Sequence, residues 1–318
     1  MLSRVAESLY WMSRYLERAE HTARVIKVQL NLMLERETED DDRHWRRMLK
    51  SLAVEMAEVK EGEAQAAAKS LIYSTDSRSS IVSCVMAARE NSRQVREQIS
   101  SEMWEQLNRM FIEVNRSGAP EGVEAADVSD FLQAIKDGAH TFQGTTDSTM
   151  THGEGWQFIQ AGRSIERASA LATLLGVHFR EFYGKDAEPE PLEWIGLLRS
   201  CTAFEAYCKA YTADLRPDRI AEFLVLNPSF PHSIRFSADA LETAMKQIGA
   251  EVSSRRSARV ERIAGRMQAT LAFGQIDEIM SGGLQAYLET VLRQCSQAHS
   301  ALYQTYIAYP IEAALQAS

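Results

Sequence analysis

The chain carries Arg14-Tyr15-Leu16-Glu17-Arg18-Ala19 and, 149 residues on, Arg163-Ser164-Ile165-Glu166-Arg167-Ala168. The same offset relates Ala23 to Ala172, Leu9 to Phe158 and Ile26 to Leu175. Two copies of Arg-x-x-Glu-Arg-Ala in one register point to a duplicated helical unit, because a solenoid needs more copies. Residues three and four apart are neighbours on a helix, so Arg14 can reach Glu17. Tyr10, Glu17 and Arg24 then share one flank, Glu20 lies on the other, and Glu20 followed by Arg24 has the favourable order for a pair. A guanidinium either pairs with a fixed carboxylate or takes a ligand's carboxylate or phosphate in a planar fork. The chain favours that group, with 27 Arg against 8 Lys.

Arg89, Arg93 and Arg96 form a second basic stripe beside Glu90, and Trp104 with Asn108 could supply a stacking wall and an amide. On the binding reading, Arg14, Glu17, Arg18, Glu20, Arg89, Glu90, Arg93, Trp104, Asn108, Arg163, Glu166 and Arg167 hold a peptide-like or anionic ligand, or dock a partner protein. The bland alternative is a set of solvated helix faces whose pairs contribute little. A catalytic alternative uses Glu17, Glu20 or Glu166 as general acid or base. Adjacent guanidinium groups lower carboxylate pKa values, which makes poor bases at neutral pH. No GxSxG, P-loop or local Cys/His pairing is present. A carboxylate-bridged metal site would want Glu-x-x-His, whereas Glu17 and His21 are four apart and Glu166 has no following His, so neither metal nor cofactor is expected.

These side chains must be positioned by helices. No proline and one glycine, Gly62, occur up to Arg116, so little there would break a helix. Val5, Leu9, Met12, Leu16, Ala19, Ala23, Ile26, Leu30 and Met33 keep spacings of four and three, a core-facing seam from about 3 to 37. Further helices are expected at about 42–60, from 81, from Ser101 to about 115, 127–142, 156–183, 192–211, 217–226, 232–248, 253–273 and 283–308. Ser77, Ser79 and Ser80 are candidate caps, the acidic run 37–42 and Gly118-Ala119-Pro120 are breaks, and 144–155 and 184–191 are connections. Pro217 and Pro231 suit helix first turns. No segment alternates with period two long enough for a buried strand. The expected fold is all-α, a large pseudo-symmetric bundle of about ten helices in two halves, about 1–149 and 150–318.

A net charge of −9 and a pI near 5.4 work against non-specific binding to nucleic acid or anionic membrane. No stretch approaches the ~18 apolar residues of a membrane span, and charges interrupt the N-terminal apolar runs. Cys84, Cys201, Cys208 and Cys295 match neither a zinc nor a CxxC spacing and are expected to be reduced thiols. A cytoplasmic protein is expected. His152 and His178 are read as ordinary surface or core residues.

Residues 2–24, from Leu2-Ser3-Arg4 to Ala23-Arg24, resemble the opening of the bacterial alpha-E domain family, named for its helices and glutamates. Ala88-Arg89-Glu90-Asn91-Ser92-Arg93 with Arg96, residues 99–108, Gly162-Arg163-Ser164-Ile165-Glu166-Arg167-Ala168 and Phe230-Pro231-His232-Ser233-Ile234-Arg235-Phe236 extend the likeness to about Gly283. The resemblance implies one alpha-E domain over 1–318. It also implies a circularly permuted ATP-grasp protein as partner, transglutaminase-like peptidases in the same neighbourhood, and a role in amide or peptide-bond formation. In the second repeat Ser169 stands where a counterpart of Glu20 would keep the symmetry.

Overall fold

A computed structural model describes residues 1–35, 41–116, 125–184, 191–252 and 257–308. The expected breaks at 37–40 and at Gly118-Ala119-Pro120, and most of the 184–191 connection, lie outside these residues. The described residues contain fourteen α-helices and no strand. In order they are α1 (Ser3–Leu34), α2 (Asp41–Ser51), α3 (Ala64–Tyr73), α4 (Ile81–Gln94), α5 (Ser101–Arg116), α6 (Ala125–Thr149) and α7 (Glu154–Phe182). There follow α8 (Pro191–Ser200), α9 (Phe204–Tyr211), α10 (Pro217–Leu226), α11 (Ile234–Val252), α12 (Ser257–Ala272), α13 (Ile276–Gly282) and α14 (Leu284–Leu302).

The two helices that carry the repeat, α1 and α7, pack on each other at the centre. Around α1 lie α4 and α6, and around α7 lie α11 and α14. The expected seam is where the core sits: Leu9, Met12, Leu16, Ala19, Ala23 and Ile26 are buried, and the seam ends Val5, Leu30 and Met33 are half-buried. Burial extends right around the middle of α1, however, enclosing Glu17, Glu20, His21, Thr22 and Arg24 as well. Neighbours on several sides make that helix interior on its charged flanks too. No helix among the described residues is long and apolar enough to cross a membrane.

The sequence count of about ten helices merges or omits several. The expected 42–60 helix stops at Ser51, where Ala53 takes a left-handed φ of 57°, and a short 3-10 turn follows at Met56–Glu58. The alanine-rich segment after Gly62 forms α3 by burying Ala64, Ala68, Leu71 and Ile72. Residues 144–149, expected as connection, continue α6, and the hydroxyls of Thr146 and Thr149 bond back to Phe142 and Thr145 carbonyls within that helix. The expected 192–211 helix divides into α8 and α9 at Thr202, which adopts a φ of 51°. Of the three candidate caps, Ser80 caps α4 by accepting from Ser83 N at 3.1 Å. Pro217 sits in the first turn of α10. Pro231 precedes α11 instead, whose cap is Ser233, accepting from Phe236 N at 3.0 Å.

Candidate functional site

The crossing of α1 and α7 is set by a pair of small residues. A Cβ added at Gly162 would stand 2.2 Å from Ser13 Oγ and 2.4 Å from the Tyr10 carbonyl oxygen, so only glycine permits this approach. Ser13 and Gly162 hold the same place in the two repeats. Starting at this contact, the motif's charged side chains reach across to the facing helix. Glu166 accepts from Arg14 Nε at 2.7 Å on one oxygen and from Arg18 Nε at 2.7 Å on the other. Glu17 accepts from Arg167 Nε at 2.5 Å and from its terminal nitrogen at 2.8 Å, a bidentate fork. Each repeat's glutamate thus takes arginine from the other repeat, and the expected Arg14–Glu17 pair within α1 does not form.

The surroundings hold these groups in place. Arg14 also donates to Tyr10 Oη at 3.3 Å and to His299 Nδ1 at 3.2 Å, and its guanidinium lies 4.7 Å from the Trp11 ring centre. Tyr10, His299 and Trp11 bring α1 and α14 together around it. Arg167 donates to the Pro231 carbonyl at 3.1 Å, and Gln143 Nε2 donates to Glu17 at 3.3 Å. Burial alone would raise the Glu166 carboxyl, but Arg14 and then Arg18 outweigh it, so the group titrates below its usual value and stays ionised. Burial opposes the charge of both arginines, and Glu166 reverses this, raising each of them. Burial pushes the Tyr10 phenol up to about 12.

A second polar knot lies further along α1. Glu20 and Arg24, each 1% exposed, pair bidentately at 2.8 and 3.0 Å. Arg24 also donates to the Ser200 carbonyl, which the end of α8 leaves free. This is a buried i,i+4 pair, not the solvated face that a charged row usually forms. His140 approaches Glu20 at 3.6 Å, and burial opposes ionisation of Glu20 but Arg24 reverses it, leaving the carboxyl well below its usual value. His21 accepts from Arg24 at 3.4 Å through Nδ1; since arginine only donates, the ring proton sits on Nε2, which has no partner among the described residues. Burial lowers the His21 pKa to about 3.

Beside Glu166 a cleft of about 280 Å³ opens to solvent. Its polar wall is Arg18, His21, Thr22, Glu166, Ser169 and Thr173 from the two central helices, with Ser51 and Ser79 opposite. Leu52, Ala53, Leu71 and Ala170 supply apolar surface. Arg18 spends only its Nε on Glu166, and its terminal nitrogens have no hydrogen-bond partner among the described residues. Sequence reasoning missed His21, Thr22, Ser79, Ser169 and Thr173 as a set. The available signal was helical spacing, since Arg18, His21 and Thr22 fall three and four apart, as do Glu166, Ser169, Ala170 and Thr173.

Of the twelve residues expected to act together, five form the interlocked set. Arg14, Glu17, Arg18, Glu166 and Arg167 are in it, and Arg163 points elsewhere, donating to Gln160 without a carboxylate partner among the described residues. Burial and then Arg167 lower the Arg163 pKa. Glu20 belongs to the neighbouring knot. The remaining five lie apart on α4 and α5: Arg89 donates to Asn108 at 2.7 Å and stacks on Trp104 and Phe111, while Arg93 pairs with Glu90 on the surface, 62% and 49% exposed. Although α4 packs on α1, these side chains pair among themselves along α4 and with α5, and none bonds to a charged group of the crossing. His152 stacks on Trp156, and His178 is buried against Phe182 and Trp194 with Nε2 unpartnered. The four cysteines are free, and no group of three or more His, Cys, Asp or Glu among the described residues is placed to hold a metal ion.

An all-helical bundle whose two long central helices exchange Arg–Glu pairs defines the class of this protein. The chain belongs to the Alpha-E family, a predicted alpha-helical domain with a conserved ER motif, matched over residues 1–307. It is similar to an uncharacterized protein of Mycobacterium bovis, 25% identical over 317 residues, covering 91% of this chain and 35% of that protein. Two uncharacterized proteins of Mycobacterium tuberculosis are 25% and 24% identical with the same coverage. The chain therefore spans about a third of the length of the curated relatives it matches. No solved structure matches it.

Proposed function

We propose that this chain is a binding component of an ATP-grasp-type amide or peptide ligase system, presenting a peptide-like or anionic ligand or docking the ligase. The observation that carries this is the open cleft beside Glu166, where Arg18 is fixed through its Nε and keeps its terminal nitrogens unused. A fixed guanidinium with spare donors in a half-apolar cleft recognises ligands at low entropic cost. The same geometry argues against Glu17 or Glu166 as general acid or base. Each receives two guanidinium N–H groups, and Glu166 is held ionised far from the range a base needs at neutral pH.

The two halves, about 1–149 and 150–318, are read as one pseudo-symmetric domain. Reciprocal pairing and the meeting of Ser13 with Gly162 at equivalent places support this. Reduced cysteines and an ATP-dependent partner suit the cytoplasm. The partner expected is a circularly permuted ATP-grasp protein, with transglutaminase-like peptidases in the same pathway. Co-expression with a circularly permuted ATP-grasp protein from the same organism should yield a complex, and omission of this chain should slow ligation. Absence of a complex together with an unchanged ligation rate would refute the reading.

A further inference from the structure

We infer that the cleft beside Glu166 is a carboxylate-recognition site, gripping the free carboxyl group of an amino acid- or peptide-sized ligand between Arg18 and His21. The inference rests on the binding reading above and names the ligand's chemistry. Three observations carry it. Arg18 lines the cleft and is held by Glu166 at 2.7 Å, and it keeps both terminal nitrogens without partners among the described residues, a planar fork matched to a carboxylate. His21 also lines the cleft and is only 5% exposed, and its buried Nε2–H has no acceptor among the described residues. A buried donor left without an acceptor is destabilising unless something fills the place.

Charge balance adds the sign. Arg14 and Arg18 share the single carboxylate of Glu166, so this end of the crossing keeps one uncompensated positive charge that a monoanion would neutralise. The hydroxyls of Thr22 and Ser79 can donate and accept, and those of Ser169 and Thr173, whose protons go to the Ile165 and Ser169 carbonyls, can accept, which suits the amide groups of a peptide, and Leu52, Leu71 and Ala170 suit its apolar parts. Ser169, which replaces a carboxylate at the place of Glu20, keeps a negative charge out of this wall. A second glutamate there would repel the ligand.

The test uses the full chain and a set of N-acetylated dipeptides, each as free acid and as C-terminal amide, titrated by calorimetry or by NMR. Free acids should bind at least ten-fold more tightly than their amides. Arg18→Gln should abolish the preference. Because that change also loosens Glu166, Ala170→Leu serves as a second variant, filling the cleft from its wall without touching an ion pair, and it should lose binding while unfolding at the wild-type temperature. Acids and amides bound equally would overturn the carboxylate assignment and leave cleft binding standing. Binding of neither, or binding of acids undiminished by Ala170→Leu, would overturn the site itself. The ligase-complex experiment then judges the broader function separately.

Discussion

Replacing Glu166 by Gln removes one charge from the centre of the molecule and leaves two guanidinium groups of α1 side by side with no carboxylate from α7 between them. Two charge-assisted hydrogen bonds at 2.7 Å are affected, each contributing about 1.5–3 kcal/mol, so ~6 kcal/mol bounds the loss. The amide oxygen can still accept one bond, and Arg18, 26% exposed, can turn its charge toward water. Arg14 at 13% has less freedom. The expected destabilisation is therefore about 3 kcal/mol, at the lower edge of what breaking a buried pair costs. The pH dependence follows from the depressed folded-state pKa. Glu166 contributes fully above the unfolded value of 4.5, and its contribution is lost as pH falls through the lower folded value. The difference between wild type and Glu166→Gln should thus narrow as pH falls below about 4.5, and other titrating groups cancel in that difference. Urea unfolding with equal slopes, repeated at steps of pH, measures it. A gap under ~1 kcal/mol at pH 7, or one that does not shrink in acid, would refute the account of a buried carboxylate held ionised by two guanidinium groups. Arg93→Ala, at an exposed pair, should leave the urea midpoint where it is.

Gly162→Ala forces a methyl against Ser13 Oγ and the Tyr10 backbone, which cannot yield as a side-chain tip can, and should cost about 1–3 kcal/mol in thermal or urea unfolding. Gly265→Ala in α12, where a Cβ meets nothing within 4 Å, should be neutral or stabilise by about 0.5–1 kcal/mol, and equal effects at the two sites would deny that the helix crossing is tight. His178 is buried and its pKa falls to about 3, so the unfolded chain binds its proton first on acidification. Stability should drop below pH 6.5 by about 1.4 kcal/mol per pH unit from this residue alone. His178→Phe, among Phe179, Phe182 and Trp194, should flatten that slope between pH 7 and 5.5, and an unaltered slope would show that the ring already reaches water.

Helix content, the seam of α1 and the duplicated Arg-x-x-Glu-Arg-Ala pattern were legible in the chain alone, because periodicity, scarce helix breakers and exact repetition are local properties. The repeat even located the centre of the fold, since both copies sit on the two longest helices and their charges turn inward. Local rules misassigned the partners. Spacing of three on one helix offers Arg14 to Glu17, but a long guanidinium reaches a facing helix as easily, and the Ser13–Gly162 contact sets Glu166 opposite Arg14 and Arg18. A pair 152 residues apart has no local signature. The same limit explains the α8–α9 break at Thr202, which rests on a left-handed residue that composition does not mark, and the separation of Arg89, Glu90, Arg93, Trp104 and Asn108 from the central pairs. Which charges share an enclosure, and which donors are left over to meet a ligand in the cleft, depends on how helices distant in sequence cross, and only the packed structure decides that.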